Sequence, residues 1–159
     1  RLISILFVCT GNICRSPMAE GIMAEKFRRA GIDALVDSCG FESFHAGDPP
    51  DARAIAVASG RGIDISGHRA RLFRKTDFTR FSHLFVMAHS HYRAVIKMAS
   101  SDSERAKADY LLNILYPGEN RGVTDPWYHD QSTFEEVFDL LDQACESLLK
   151  KFSHGTRPH

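Results

Sequence analysis

FVCTGNICRSPMAE, residues 7–20, leaves an apolar strand, crosses a polar loop and enters a helical pattern. The run before it, LISILFV (residues 2–8), is apolar except for Ser4 and suits a strand buried on both faces, as in a parallel sheet. After the loop, Met18, Ile22, Met23 and Phe27 keep helical spacing, and Gly31 ends the segment. Pro17 suits the first helical position, with Ser16 before it as cap. Residues 2–31 therefore read as strand, tight loop, helix. Such a loop turns its backbone N–H groups toward one point in front of a helix N-terminus, a cradle suited to phosphate or sulfate. Gly11 lets the chain turn and approach the anion closely. Arg15 offers a planar fork for two oxygens. No Gly-Lys-Ser/Thr follows, which excludes a nucleotide-binding Walker loop.

Cys9 gives the cradle its chemistry. A cysteine after a strand, taken alone, is a small buried hydrophobe. Here it stands at the base of an anion hole, near an arginine and a helix N-terminus, the setting in which cysteine reacts as a thiolate. A thiolate beneath a bound phosphoryl group is placed to attack phosphorus. Ser16 is expected to give its hydroxyl proton to the sulfur, and Asn12 to stiffen the loop.

The rest of the chain alternates strands and helices. Ala34 to Cys39 is a second strand, followed by the turn-rich GFESFHAGDPP. Ala52 to Ser59 is a short helix opened by Asp51 and stopped by Gly60 and Gly62. Residues 63–71 pattern weakly, with a short strand expected near their end. Phe81 to Met87 is a third strand and His91 to Met98 a helix. Ser100 to Glu104 is polar and exposed, and Asp109 to Tyr116 reads equally as strand or helix. PGENRGVTDPWYHDQ is a loop. Ser132 with Glu135 forms a capping box. It opens a long helix whose apolar face is Phe134, Val137, Phe138, Leu141, Cys145, Leu148 and Phe152. The alternation predicts an α/β layered sheet with its ligand site at the carboxyl ends of the strands.

At 159 residues the chain is one domain's worth, expected over 1–153 with a flexible tail at 154–159, and its 43% apolar content supports a core. Twenty basic and twenty acidic residues cancel, so bulk attraction to nucleic acid or membrane is not expected. The basic run HRARLFRK is read as a solvated face. Cys9, Cys14, Cys39 and Cys145 include no CxxC pair, which argues against a disulfide scaffold and a structural zinc site and for a reducing, cytoplasmic setting. No stretch approaches the roughly 18 apolar residues of a membrane span. LISILFV is short for a signal peptide and has no small-residue cleavage site after it. His83, His89 and His91 form no metal-ligand pattern. No metal or cofactor is expected, and the chain is expected to be a monomer or weak dimer.

VCTGNICRSPMAE resembles the signature of the low-molecular-weight protein tyrosine phosphatases. DSCGF, GDPPD, GIDISGHRAR, FSHLFVM and DPWYHD follow in that family's order, over nearly the whole chain. The resemblance implies a three-layer fold, a four-stranded parallel sheet flanked by helices on both faces. It implies hydrolysis of phosphotyrosine in proteins, releasing inorganic phosphate, with Cys9 as nucleophile and Thr10, Gly11, Asn12, Ile13, Cys14, Arg15 and Ser16 as the phosphate-binding loop. Asp125 corresponds to the general acid. Phe44, Trp127 and Tyr128 would wall the pocket with Ile13, and His45 would tune peptide preference. Ser38 and His68 would support the loop by hydrogen bonds. Cys14 lies close enough to Cys9 for a protective disulfide.

Two departures stand out. Ala88 follows Met87 where the family has Met-Asp, which leaves the local field more positive. Cys39 takes the place of a small residue. Three alternatives bear weighing. Arsenate reductases of this fold use two further cysteines near residues 82–90, where this chain has SHLFVMAHS and no cysteine. Protein arginine phosphatases carry Thr at the position of Ile13. A phosphoprotein-binding module with a dead site would have lost Cys9, Arg15 or Asp125, and all three are present.

Overall fold

In the computed structural model, which describes residues 2–156, four strands form one parallel sheet in the order β2-β1-β3-β4. These are β1 (Ile3–Val8), β2 (Ala34–Cys39), β3 (His83–Val86) and β4 (Ala108–Tyr110). Alternate residues of the central strands face opposite layers. Ile5, Phe7 and Phe85 point into a core closed by α1 (Arg15–Arg29), α2 (Ala52–Gly60) and α6 (Gln131–Thr156). Leu6, Val8, Leu84 and Val86 point the other way, against Phe73, Phe78, Phe81 and Val95. That second layer comes from α3 (Asp77–Arg80), α4 (His89–Met98) and the turns around them. A short α5 (Asp102–Arg105) leads into β4. Burial on both faces is why β1 reads as a nearly unbroken apolar run.

The helices follow their sequence signals with some exceptions. Gly31 has φ 69° just past α1, a conformation that glycine takes without strain. Asp51 caps α2 by accepting from the Arg53 amide at 2.8 Å. Every residue of the expected α6 face except Phe152 is buried, and Phe152 is half-buried against the same core. The capping box before it is a correction. Ser132 lies inside α6, and the carboxylate of Asp130 accepts from the Thr133 amide and the Ser132 hydroxyl instead. Asp is as good a cap as Ser, and it comes first in the chain. The helix runs on to Thr156, past residue 153; the end of the expected tail, residues 157–159, lies outside the described residues.

Three other expectations change. Residues 63–71 form no strand; one parallel bridge joins Leu72 to Gly40. The ambiguous 109–116 stretch is both things in turn, the end of β4 and then a 3-10 turn at Leu111–Ile114. Part of the polar stretch 100–104 belongs to α5, capped by Ser101. Because β1 pairs β2 on one side and β3 on the other, the chain after β1 emerges at the point where strand order reverses. Open α/β sheets bind ligands at such a point.

Candidate active site

Cys9 follows the last residue of β1, and its amide bonds the carbonyl of Cys39 at the end of β2. The loop then turns through Asn12, whose φ of 59° lies in the left-handed region. Helix α1 starts at Arg15, two residues before Pro17. Cys14 is its cap residue and makes no side-chain cap bond, so neither Ser16 nor Pro17 has the expected place. Ser16 is drawn into the loop instead. Its Oγ lies 2.8 Å from Cys9 Sγ and accepts from Asn12 Nδ2 at 2.8 Å. With that lone pair taken, the hydroxyl proton has two acceptors within reach, Cys9 Sγ and, at 3.5 Å, the Cys39 carbonyl. The Asn12 amide also points at Cys9 Sγ, at 3.3 Å.

Asn12 is buried and spends its whole side chain on this frame. Nδ2 also donates to Ser38 Oγ at 2.9 Å, while Oδ1 accepts from the Arg71 amide and from His68 Nε2, both at 3.0 Å. These bonds hold the left-handed turn. Ser38 and His68 thus lie where the sequence reading placed them, under the loop. Beneath them is Glu20, which that reading passed over. Its carboxylate accepts from Ser38 Oγ at 2.6 Å and lies 3.4 Å from His68 Nδ1. Burial pushes Glu20 up to about 7 and pushes His68 below its ordinary value. The pair is best described as a protonated or proton-sharing Glu20 beside a neutral imidazole. Glu20 stands one helical turn after Ser16, and this i, i+4 spacing was the available signal. On the far side, Gly40 is close to the loop: a Cβ there would lie 2.5 Å from the Thr10 carbonyl oxygen. No larger residue fits without moving it.

Arg15 is buried and fixed on three sides. Its Nη1 donates to the Val123 carbonyl at 3.0 Å, and its Nη2 lies 3.3 Å from Thr10 Oγ1 and 3.5 Å from Asp125 Oδ2. Asp125 caps the 3-10 turn Pro126–Tyr128 through Oδ1, which accepts from the Trp127 amide at 3.1 Å. Its other oxygen is turned toward Arg15. The turn is held by Arg53, which donates to the carbonyls of Trp127 and His129 and pairs with Asp51 at 2.9 Å. Nothing in its local sequence marks Arg53 for this, since the two carbonyls it binds lie over seventy positions away.

These groups surround a pocket of about 280 Å³ with Cys9 on its floor, 2% exposed. Thr10, Gly11, Ile13, Cys14 and Arg15 line it, and Asp125, Phe44, His45, Trp127 and Tyr128 form its walls. Phe44 and Tyr128 are over four-fifths exposed and Trp127 is 39% exposed, so the rim presents aromatic faces to solvent. His45 lies edge-on to both Phe44 and Trp127. Every candidate pocket residue of the sequence reading is thus gathered at one place. Cys14 is buried, and burial first, then Asp51, raise its thiol well above the ordinary range; it is a free thiol. Cys39 is also buried and raised by desolvation. Among the described residues, no group of His, Cys, Asp or Glu is arranged to hold a metal, and no helix is long and apolar enough to cross a membrane.

A loop of this form, closed over a cysteine and faced by an aspartate from before the last helix, defines a phosphate-handling α/β protein. The chain belongs to the low molecular weight phosphotyrosine protein phosphatase family, whose model matches residues 4–157. It is 36% identical to the low molecular weight phosphotyrosine protein phosphatase 2 of Drosophila melanogaster, over 93% of this chain and 91% of that one. The crystal structure of a protein tyrosine phosphatase from Entamoeba histolytica superimposes with a TM-score of 0.89 at 30% identity, covering 98% of this chain and 99% of that one. The YwlE arginine phosphatase aligns with a TM-score of 0.84 at 23% identity over 95% of this chain and 96% of that one, a likeness of fold alone.

Proposed function

We propose that this chain hydrolyses phosphotyrosine in proteins through a phosphocysteine on Cys9. The observation that carries the reading is the pocket itself, with a sulfur on its floor, Arg15 beside it and the Asp125 carboxylate 3.5 Å from that arginine. A phosphoryl group seated on the loop amides and Arg15 presents phosphorus to Cys9 Sγ. Its bridging oxygen then faces the wall that holds Asp125.

The Cys9 thiolate attacks phosphorus as the bond from phosphorus to the phenolic oxygen breaks. The loop N–H groups and Arg15 hold the three equatorial oxygens while charge redistributes. Asp125 gives its proton to the departing phenolate, a contribution of about 10² to 10⁴ in rate. As a carboxylate it then takes a proton from water. The water oxygen attacks phosphorus, the P–S bond breaks, the thiolate returns and inorganic phosphate leaves. The Asn12 amide, which points at the sulfur, and the Ser16 hydroxyl, 2.8 Å from it, stabilise the thiolate as leaving group in this second step.

The aromatic rim and the depth of Cys9 favour an aryl phosphate. A phenyl ring packs between Phe44, Trp127 and Tyr128, whereas phosphoserine is too short to bring its phosphorus to the floor. Ile13 adds an apolar surface where a hydroxyl would suit a guanidinium, which favours tyrosine over arginine. The four free thiols fit a reducing, cytoplasmic setting. The test is release of phosphate from phosphotyrosine and phosphoarginine peptides side by side, with Cys9→Ser as control. Release from phosphotyrosine alone, lost in the variant, is expected; preference for phosphoarginine would overturn the substrate assignment.

A further inference from the structure

Thr10 and His91 form a contact that the proposed chemistry does not use. His91 lies in the first turn of α4, is 3% exposed, and places Nε2 2.7 Å from Thr10 Oγ1. Its other ring nitrogen, Nδ1, is buried with no hydrogen-bond partner among the described residues. Thr10 Oγ1 is also 3.3 Å from Arg15 Nη2, and Thr10 lines the pocket.

Counting protons orients this group. A threonine hydroxyl has one proton and two acceptor positions. Arg15 has only protons to give, so it takes one acceptor position. His91 either receives the threonine proton at Nε2 or donates its own. If it received one, its single ring proton would be on Nδ1, a buried N–H with nothing to bind. Orphaned buried donors are the rarer and costlier case. If Nε2–H donates, Nδ1 is a bare lone pair and Thr10 keeps its own proton unspent. The imidazolium, with protons on both nitrogens, is disfavoured by burial and by Arg15, which together push His91 down to about 4, against a smaller opposing effect of Asp125. The neutral ring with its proton on Nε2 is therefore the resting form.

We propose that His91 is a positioning residue that turns the Thr10 hydroxyl into an additional donor for an oxygen of the bound phosphoryl group. With both acceptor positions of Oγ1 filled by Arg15 and His91, the remaining proton points into the pocket. Thr10 thus acts on the anion twice, directly and by bracing Arg15. The proposal rests on the reading of the Cys9 loop as a phosphate site.

Trp127, the single tryptophan, stands in the pocket wall, so its fluorescence can follow binding of inorganic phosphate. Titrations would compare the parent with Thr10→Val, Thr10→Ser, His91→Phe and the Thr10→Val/His91→Phe double variant. Removing one hydrogen bond to a charged group is expected to weaken phosphate binding roughly tenfold in Thr10→Val. Thr10→Ser should restore most of it. His91→Phe should weaken binding to a similar degree, and the double variant no further than the worse single one, because both act through the same proton. Parent-like affinity in Thr10→Val, or losses that multiply in the double variant, would overturn the proposal. If the parent itself failed to bind phosphate, the reading of the loop would fall first, and this proposal with it.

Discussion

Asn12 and Glu20 show how single side chains decide the state of the loop. Asn12 holds a left-handed backbone position by using both amide protons and both carbonyl lone pairs. Glu20 sits below it as a carboxyl raised to about 7, chiefly by burial. Between the ordinary value of 4.5 and about 7, the folded state holds a proton that the unfolded chain has released. Glu20 therefore makes stability fall as pH rises through this window. The lowered value of His68 acts the other way, adding stability as pH rises toward its ordinary 6.5. Glu20→Gln removes the first effect. Across the window, the variant should gain on the parent by an amount on the order of 2 kcal/mol, measured by urea unfolding at each end. A constant difference would show that Glu20 does not titrate there. At this scale Cys9, Asn12, Arg15 and Ser16 were legible in the sequence because eight adjacent residues, 9–16, carry them. Ser38, His68 and Asp125 were reached only through family resemblance. Glu20 left only its i, i+4 spacing from Ser16 as a signal, and His91 was not legible, because nothing local marks which helical residue faces a distant loop.

Helix starts were read less well than strands, and the reason is competition for side chains. Ser16 looks like a cap and Pro17 like a first helical residue, but the demand of Cys9 and Asn12 for the Ser16 hydroxyl moves the start to Arg15. Ala88 is a related case. It departs from the family pattern, and the structure places it as the cap residue of α4, in extended backbone with no side-chain cap bond. The missing carboxylate is thus a missing helix cap, next to the turn that carries His91. Ala88→Asp should stabilise the fold by about 1 kcal/mol, read as a rise in the thermal midpoint. An unchanged or lower midpoint would show that α4 needs no cap there. The burial of β1 was legible because two apolar faces leave an unbroken apolar run. The expected strand near residue 71 fails because the Gly40–Leu72 bridge is joined by loop contacts and does not extend into a ladder.

For the whole molecule, the sheet separates two apolar layers that share strand β1. Leu141 of α6 is fully buried in one layer and Leu6 in the other. Because alternate residues of one strand serve both layers, the layers should unfold together. Leu141→Ala and Leu6→Ala should each cost about 2–5 kcal/mol, and in each variant one transition should be seen by every probe. Separate transitions by near-ultraviolet and far-ultraviolet circular dichroism would show that one layer survives alone. The fold class was legible from alternating elements and one terminal strand–loop–helix unit. The strand order was not, because pairing partners leave no local trace. That order is what brings β1 and β3 side by side and sets the Val123–Asp125 segment against the Cys9 loop. The central claim is that phosphate leaves the substrate by way of the Cys9 sulfur. It is tested most directly by mixing Asp125→Ala with an aryl phosphate that has a good leaving group, denaturing rapidly and measuring intact mass. Without Asp125 to activate water, the account predicts one added phosphoryl group, located on Cys9 and absent when Cys9 is also replaced by alanine. Turnover with no covalent phosphoprotein at any time, or a label that survives loss of Cys9, would contradict it.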